Sequence, residues 1–260
     1  MRIFRTGSGK FSFSQNSLMN LVTQVAISGL AVVALPVIVH GLGDERFGLL
    51  SICWLMLGYV GFLDLGMGQA TVNLLAAKVS EGKMEEAGRI LRTAFLLGSA
   101  LSLVFIVLFE ALHEMGLATF LNLSLAIMDE ARISLRLFAL GIPPVLLMGV
   151  LRSVPFSMNR FDLVNLMQTL GAALQWLGSI AVLYLGGRLV EVIALFVATR
   201  YLIAILLYLY VRRVFPARHA GPAVAAESHL RRLLAFGGWV SVAPLVGLLL
   251  LVLEREIISR

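Results

Sequence analysis

The side chains of this chain that could bind a polar ligand are amides and one arginine, all set within apolar runs. Arg200 lies near the middle of the run 189–211, where a cation costs about 2.5–3.5 kcal/mol to insert into a bilayer. It is therefore expected to face water or the protein interior, where a guanidinium suits an anionic group such as a diphosphate. A structural ion pair, or snorkelling to the membrane surface, is the alternative.

Two sets of polar side chains recur at helical spacing in other apolar runs. Such spacing places side chains on one face of a helix. An amide-rich face can line a cavity that hydrogen-bonds sugar hydroxyls or phosphate, whereas the alternative is hydrogen bonding between helices, at about 0.6 kcal/mol per bond. The candidate cavity residues are Asn16, Asn20, Gln24 and Ser28 in one run and Asn165, Gln168, Gln175 and Ser179 in another.

The other charged candidates favour structural roles. Asp64 lies toward the inner end of its apolar run, and pairing with Arg152 is a better interpretation than proton coupling. The sequence shows no nucleophile–base pair, glycine-rich phosphate loop or paired catalytic carboxylates, so no catalytic residue is assigned and an enzyme is not expected. The lone Cys53 and four scattered histidines cannot supply a zinc site. No metal or other cofactor is expected.

These residues belong to a chain far more apolar than a soluble domain, with 59% hydrophobic residues and a mean hydropathy of +0.93. Soluble domains contain about 45–50% apolar residues. A spanning helix needs about 20 mostly apolar residues, and seven stretches qualify. The fold class is therefore all-α, a polytopic transmembrane helix bundle. The predicted spans are 17–39, 47–77, 93–112, 133–151, 163–185, 189–211 and 233–253.

Several features interrupt the spans. The second would be about 46 Å long as one helix in a hydrocarbon layer about 30 Å thick. We expect it to tilt or to bend near 64–68, with the part after the bend running out along the cytoplasmic interface. Pro143 and Pro144 remove two backbone donors and should kink the fourth span. Residues 152–162 are predicted to form a loop, and the short turn 186–188 makes spans five and six an antiparallel hairpin.

These spans and loops predict the domain organisation. Residues 1–214 form an N-terminal six-helix transmembrane lobe, 215–230 a basic cytoplasmic linker, and 231–260 the first helix of an incomplete C-terminal lobe. With the N-terminus in the cytoplasm, 14 of the 21 Lys and Arg residues fall in cytoplasmic segments and six in outer ones. This bias follows the positive-inside rule. The net charge of +6 is therefore explained without nucleic acid as a partner.

The first hairpin carries a motif. The residues LPVIVHGLGDERFGLLSICWLMLGYVGFLDLGMGQA resemble the first-hairpin signature of polysaccharide transport proteins, with its turn at 42–48 and its helix break at 64–66. The segment LLAFGGWVSVAPLVGLLLLVLEREIIS is similar to the seventh helix of that family, which closes with an acid–arginine pair, here Glu254 and Arg255. The resemblance covers about 14–259.

This resemblance implies an activity. The family belongs to the multidrug/oligosaccharidyl-lipid/polysaccharide exporter superfamily, whose members have two six-helix lobes around a central cavity. They flip undecaprenyl-diphosphate-linked oligosaccharides, such as O-antigen repeat units, across the bacterial cytoplasmic (inner) membrane by alternating access. The implied partners are the lipid bilayer and the lipid-linked oligosaccharide. The chain contains one lobe and one further helix of such a protein. It is therefore expected to need a missing C-terminal lobe or a second chain as a partner, and the alternative is a non-functional truncated fragment.

Two other classes remain as alternatives. A drug/cation antiporter of the same superfamily would be favoured by buried acidic residues, and only Asp64 and Glu110 qualify, whereas Arg200 favours anions. A membrane-bound glycosyltransferase or polymerase usually carries a long outer loop with catalytic charges. The longest outer connection here, 113–132, is short by comparison, which disfavours this class.

Overall fold

Helices make up nearly all of the part of the chain that the structure describes. The computed structural model describes residues 13–62, 66–116 and 123–215. In lipid every backbone polar group must be satisfied internally, so long apolar runs become helices. The described helices are α1 (Phe13–Leu42), α2 (Asp44–Phe62), α3 (Met67–Ser80), α4 (Met84–Glu114), α5 (Met128–Ala139), α6 (Ile142–Ser157), α7 (Phe161–Tyr184) and α8 (Leu189–Val214).

Five stretches of the described residues are long and apolar enough to cross a membrane, which confirms the predicted all-α polytopic bundle. Helices α5 and α6 together form one of them. The five stretches are Asn20–Leu42, Met84–Glu114, Met128–Ser157, Phe161–Tyr184 and Leu189–Val214.

The second predicted span consists of two helices. Helix α2 ends at Phe62 and α3 begins at Met67, so the break predicted near 64–68 is confirmed. Gly66 precedes α3 with a φ of 63°, a left-handed conformation that glycine adopts without steric cost. The predicted course after the break, along the cytoplasmic interface, stays a prediction. Helix α3 packs against α4 and α6, and its buried residues include Ala70 and Leu75.

The fourth span breaks at its proline pair, as predicted. Helix α5 ends at Ala139 and α6 begins at Ile142. Pro143 and Pro144 therefore fall in the first turn of α6, where backbone N–H groups have no partner within the helix in any case. Between the two helices, the Gly141 backbone N–H donates to the Phe138 carbonyl at 2.8 Å.

The loop predicted for 152–162 is mostly helix. Helix α6 continues through Pro155 to Ser157, and α7 begins at Phe161. A proline removes one backbone hydrogen bond, a loss that spanning helices tolerate because neighbouring groups compensate. Arg152 therefore lies within α6, about 8 Å from its end, and is not a loop residue.

The turn between α7 and α8 forms the predicted antiparallel hairpin. Gly186 has a φ of 83°, and the Gly187 backbone N–H donates to the Val182 carbonyl at 2.9 Å. Both features are typical of a glycine-terminated helix. Helix α8 then packs against α5, α6 and α7, while α1 packs mainly against α7.

The buried apolar residues of the described part form two separate clusters. One cluster contains residues of α2 and of the start of α6 and α8, including Leu49, Ile142 and Phe196. We call it the outer cluster, because the predicted orientation places it toward the outer side of the membrane. The inner cluster contains α3 and the later parts of α6 and α8, including Leu75 and Ile203. The α2–α3 break coincides with the change from one cluster to the other. The predicted linker and seventh span lie outside the described residues.

Candidate functional site

Arg200 lies between the two apolar clusters on the interior face of α8. Phe196, Ile203 and Leu207, at helical spacing from it, are all buried, so residue 200 points into the bundle. The guanidinium carbon lies 4.7 Å from the centroid of the Phe196 ring. The Arg200 Nε atom is buried without a hydrogen-bond partner, and Arg200 takes part in no ion pair within the described residues.

The contact with Phe196 does not offset the insertion of this cation. A cation–π contact contributes about 0.5–2 kcal/mol, whereas an arginine at the centre of a spanning helix costs about 2.5–3.5 kcal/mol on insertion scales. The difference requires water or an anion near the guanidinium. Arg200 is half-buried, so part of its side chain is accessible to either.

Arg152 lies on the same interior side of the bundle. Its Nε atom is also buried without a hydrogen-bond partner, and it forms no ion pair among the described residues. The predicted partner of Arg152, Asp64, lies outside the described residues.

The two amide sets meet at the contact between α1 and α7. The Asn165 side-chain amide donates to the Asn20 side-chain oxygen at 2.6 Å, so at this position the amides join two helices. Gln24 and Gln168 are exposed, while Gln175 is half-buried. The structure thus shows one interhelical hydrogen bond together with amides that remain free to contact a ligand.

The set on α1 is exposed where its side chains are described. Residues four apart advance by only roughly 40° around a helix of 3.6 residues per turn. Asn20, Gln24 and Ser28 are all exposed, and Asn20 also contacts α7. Asn16 precedes Asn20 in α1 by four residues. Ser179 is buried and donates to the Gln175 carbonyl at 2.6 Å, so its hydroxyl is already satisfied.

Glu130 organises the opposite end of the bundle, a role that the sequence did not reveal. Its carboxylate accepts from Arg46 Nε at 2.8 Å and from the Leu189 backbone N–H at 3.2 Å. One side chain of α5 therefore joins the first turns of α2 and α8. Glu45 accepts hydrogen bonds from the backbone and hydroxyl of Ser124, so two of the three charged residues in the turn of the first-hairpin motif bind α5 or the segment just before it.

Several charged residues outside the spans have partners, in contrast to Arg152 and Arg200. Hydrogen bonds from Lys83 and Lys78 hold the pKa of the Glu81 carboxyl below its usual range. Arg160 pairs with Asp162 at 2.9 Å. The candidate pair Glu254 and Arg255 lies outside the described residues.

The described helices and the cation within a span define a polytopic α-helical membrane protein. The MatE family matches residues 17–175, more than half of the sequence, and the chain belongs to this family. The expected superfamily is thereby confirmed.

Known proteins show the same relationship. A Shigella flexneri protein named "Putative O-antigen transporter" is 23% identical over 257 residues, covering 96% of this chain and 58% of that protein. A superfamily transporter from Pyrococcus furiosus, described as having a binding pocket of reverse polarity, superposes with a TM-score of 0.69 at 18% identity over 86% of this chain and 50% of its own.

A further similar fold is a transporter of this family solved in complex with MaD3S, with a TM-score of 0.70 at 17% identity over 86% of this chain and 51% of its own. At these identities the structures establish the fold alone. The chain spans 58% of the curated relative and about half of the solved transporters.

Proposed function

We propose that the chain contributes one lobe of a transporter that flips a lipid-linked oligosaccharide, with a diphosphate group, across the bacterial inner membrane. Arg200 carries the proposal, because it is a cation within a span that no described carboxylate neutralises. A diphosphate bound beside it would supply the missing counter-charge. The exposed amides Gln24 and Gln168 are suited to hydrogen-bonding sugar hydroxyls.

Two comparisons support this function. The Shigella flexneri relative is named for O-antigen transport. The Pyrococcus furiosus transporter is described as having a binding pocket of reverse polarity. A cationic interior is better suited to an anionic substrate than to a cationic drug.

A second candidate function is drug or cation antiport, which the MatE family also fits. Glu110 is the observation in its favour, since it is a half-buried carboxylate within α4. Glu110 lies only four residues from the end of that helix. Its position near the membrane surface makes it a weaker candidate than a carboxylate at mid-span.

The test compares glycan export with drug resistance. The chain is expressed with a C-terminal lobe in one strain that lacks its own flippase and in another that is hypersensitive to cationic dyes. Alternating access needs two bodies that move around a shared site, so residues 1–260 alone are expected to insert without transporting. We expect surface glycan to return in the first strain and dye sensitivity to stay unchanged in the second. Dye resistance without glycan export would identify an antiporter instead.

The proposed orientation leads to a labelling prediction. In a Cys53→Ser background, Leu185→Cys should react with an impermeant thiol reagent added outside intact cells, whereas Glu85→Cys should react only after permeabilisation. Leu185 is 88% exposed in the α7–α8 turn, and the Glu85 side chain is 74% exposed at the start of α4. Labelling of position 85 alone in intact cells would reverse the orientation.

A further inference from the structure

Arg152 is placed to act on the same ligand as Arg200. It belongs to α6, which packs against α2, α3, α4, α7 and α8 and is therefore the central helix of the described bundle. Met148, Leu151 and Pro155 beside it are buried. Arg152 lies at the border of this buried face, because Val145, Gly149 and Phe156, which are also at helical spacing from it, are half-buried.

The two arginines are staggered along the bundle. Two chain reversals separate α6 from α8, so these neighbouring helices run in the same direction. Their register is given by Gly141, where a Cβ atom would lie 3.4 Å from Val197. Arg152 follows Gly141 by eleven residues and Arg200 follows Val197 by three, which places residue 152 roughly 12 Å further along. In the proposed orientation, Arg152 is the cation nearer the cytoplasm.

The neighbouring residues leave this pair of charges unbalanced. Arg160 lies at the same end of the bundle, yet Asp162 holds its guanidinium with three hydrogen bonds. Arg152 and Arg200 have no such partner among the described residues. Two cations in a low-dielectric interior attract an anion in proportion to its charge.

We propose that Arg152 is a second cation of the ligand site, on its cytoplasmic side, and that the pair makes the site selective for a diphosphate over a monophosphate. This inference rests on the proposed function of Arg200. It assigns to Arg152 a role in charge selectivity, in place of the structural pairing with Asp64 that the sequence favoured.

The test measures binding of isoprenoid phosphates to the purified chain. Farnesyl diphosphate and farnesyl monophosphate are titrated by calorimetry, with farnesol as the uncharged probe and inorganic diphosphate as the probe without a lipid. We expect the wild-type chain to bind the diphosphate about tenfold more tightly than the monophosphate. Arg152→Gln should reduce this ratio to about threefold, because one of two cations remains, while Arg152→Lys should retain it. Arg160→Gln, which removes a neutralised arginine, should leave the ratio unchanged.

The outcomes separate this inference from the function on which it rests. An unchanged ratio in Arg152→Gln, together with weaker binding of both phosphates in Arg200→Gln, would overturn the role of Arg152 and leave Arg200 in place. Equal binding of farnesol and both phosphates by all variants would overturn the anion site altogether. If Arg152→Gln does not fold, Arg152→Lys and Arg152→Met are compared instead. Tighter binding of the diphosphate than of the monophosphate by both of these variants, in the wild-type ratio, would also contradict the proposal.

Discussion

Arg200→Ala is expected to reduce glycan export by the assembled transporter by at least about tenfold, while leaving its abundance in the membrane near normal. A hydrogen bond to a charged group contributes about 1.5–3 kcal/mol, so its loss should slow export roughly 10- to 150-fold. The fold should tolerate the change, since the described residues give Arg200 no ion pair to lose. Its one recorded aromatic contact, with Phe196, contributes little.

The measurement is surface glycan in a flippase-deficient strain, normalised to transporter abundance in the membrane. Arg213→Ala is the matched control, because Arg213 is an exposed arginine in the last turn of the same helix and should export at the wild-type level. Arg200→Lys retains the charge without the planar fork of donors and should restore export in part. Normal export by Arg200→Ala would reject the role of this residue, and loss of abundance would indicate a structural role.

Glu130→Ala is expected to lower the stability of the bundle by about 1–3 kcal/mol, the usual value for losing a partly buried, charge-assisted hydrogen bond. The Glu130 side chain is 15% exposed and that of Arg46 is 32% exposed, so water screens this pair only in part. The substitution also leaves the backbone N–H of Leu189 without its acceptor at the start of α8. The first turns of α2 and α8 should therefore separate from α5 at a lower temperature.

The buried thiol of Cys53 reports this unfolding without any engineered label. Cys53 is 2% exposed, belongs to the outer cluster and is the single cysteine of the sequence. A thiol-reactive fluorophore in detergent should react at a lower temperature in Glu130→Ala than in the wild type. Asp129→Ala is the control, because the neighbouring Asp129 side chain is 94% exposed and surface pairs contribute little. If Cys53 reacts at the same temperature in Glu130→Ala and Asp129→Ala, the hydrogen bonds of Glu130 do not stabilise the contact of α5 with α2 and α8.

Sequence patterns alone determined the class of the protein and much of its helix map. Long apolar runs leave the chain no alternative to helices in lipid, and the breaks at Pro143 and at Gly66 follow from the backbone limits of those two residue types. Arg200 was identified as a site candidate because a charge within an apolar run is costly wherever that helix packs. The prediction failed at Arg152, where a proline and an arginine suggested a loop and the helix continued.

Tertiary structure alone decided which residues meet. Glu130 and Arg46 are separated by 84 positions, and Asn165 and Asn20 by 145, and no periodicity within one helix can pair them. Helical spacing fixes which side chains share a face, but it does not say what that face contacts. In a soluble protein, hydrophobicity would indicate the inward face. In a membrane, lipid and protein interior are equally apolar, so only the packing of α6 and α8 could show that Arg152 and Arg200 point into the same interior.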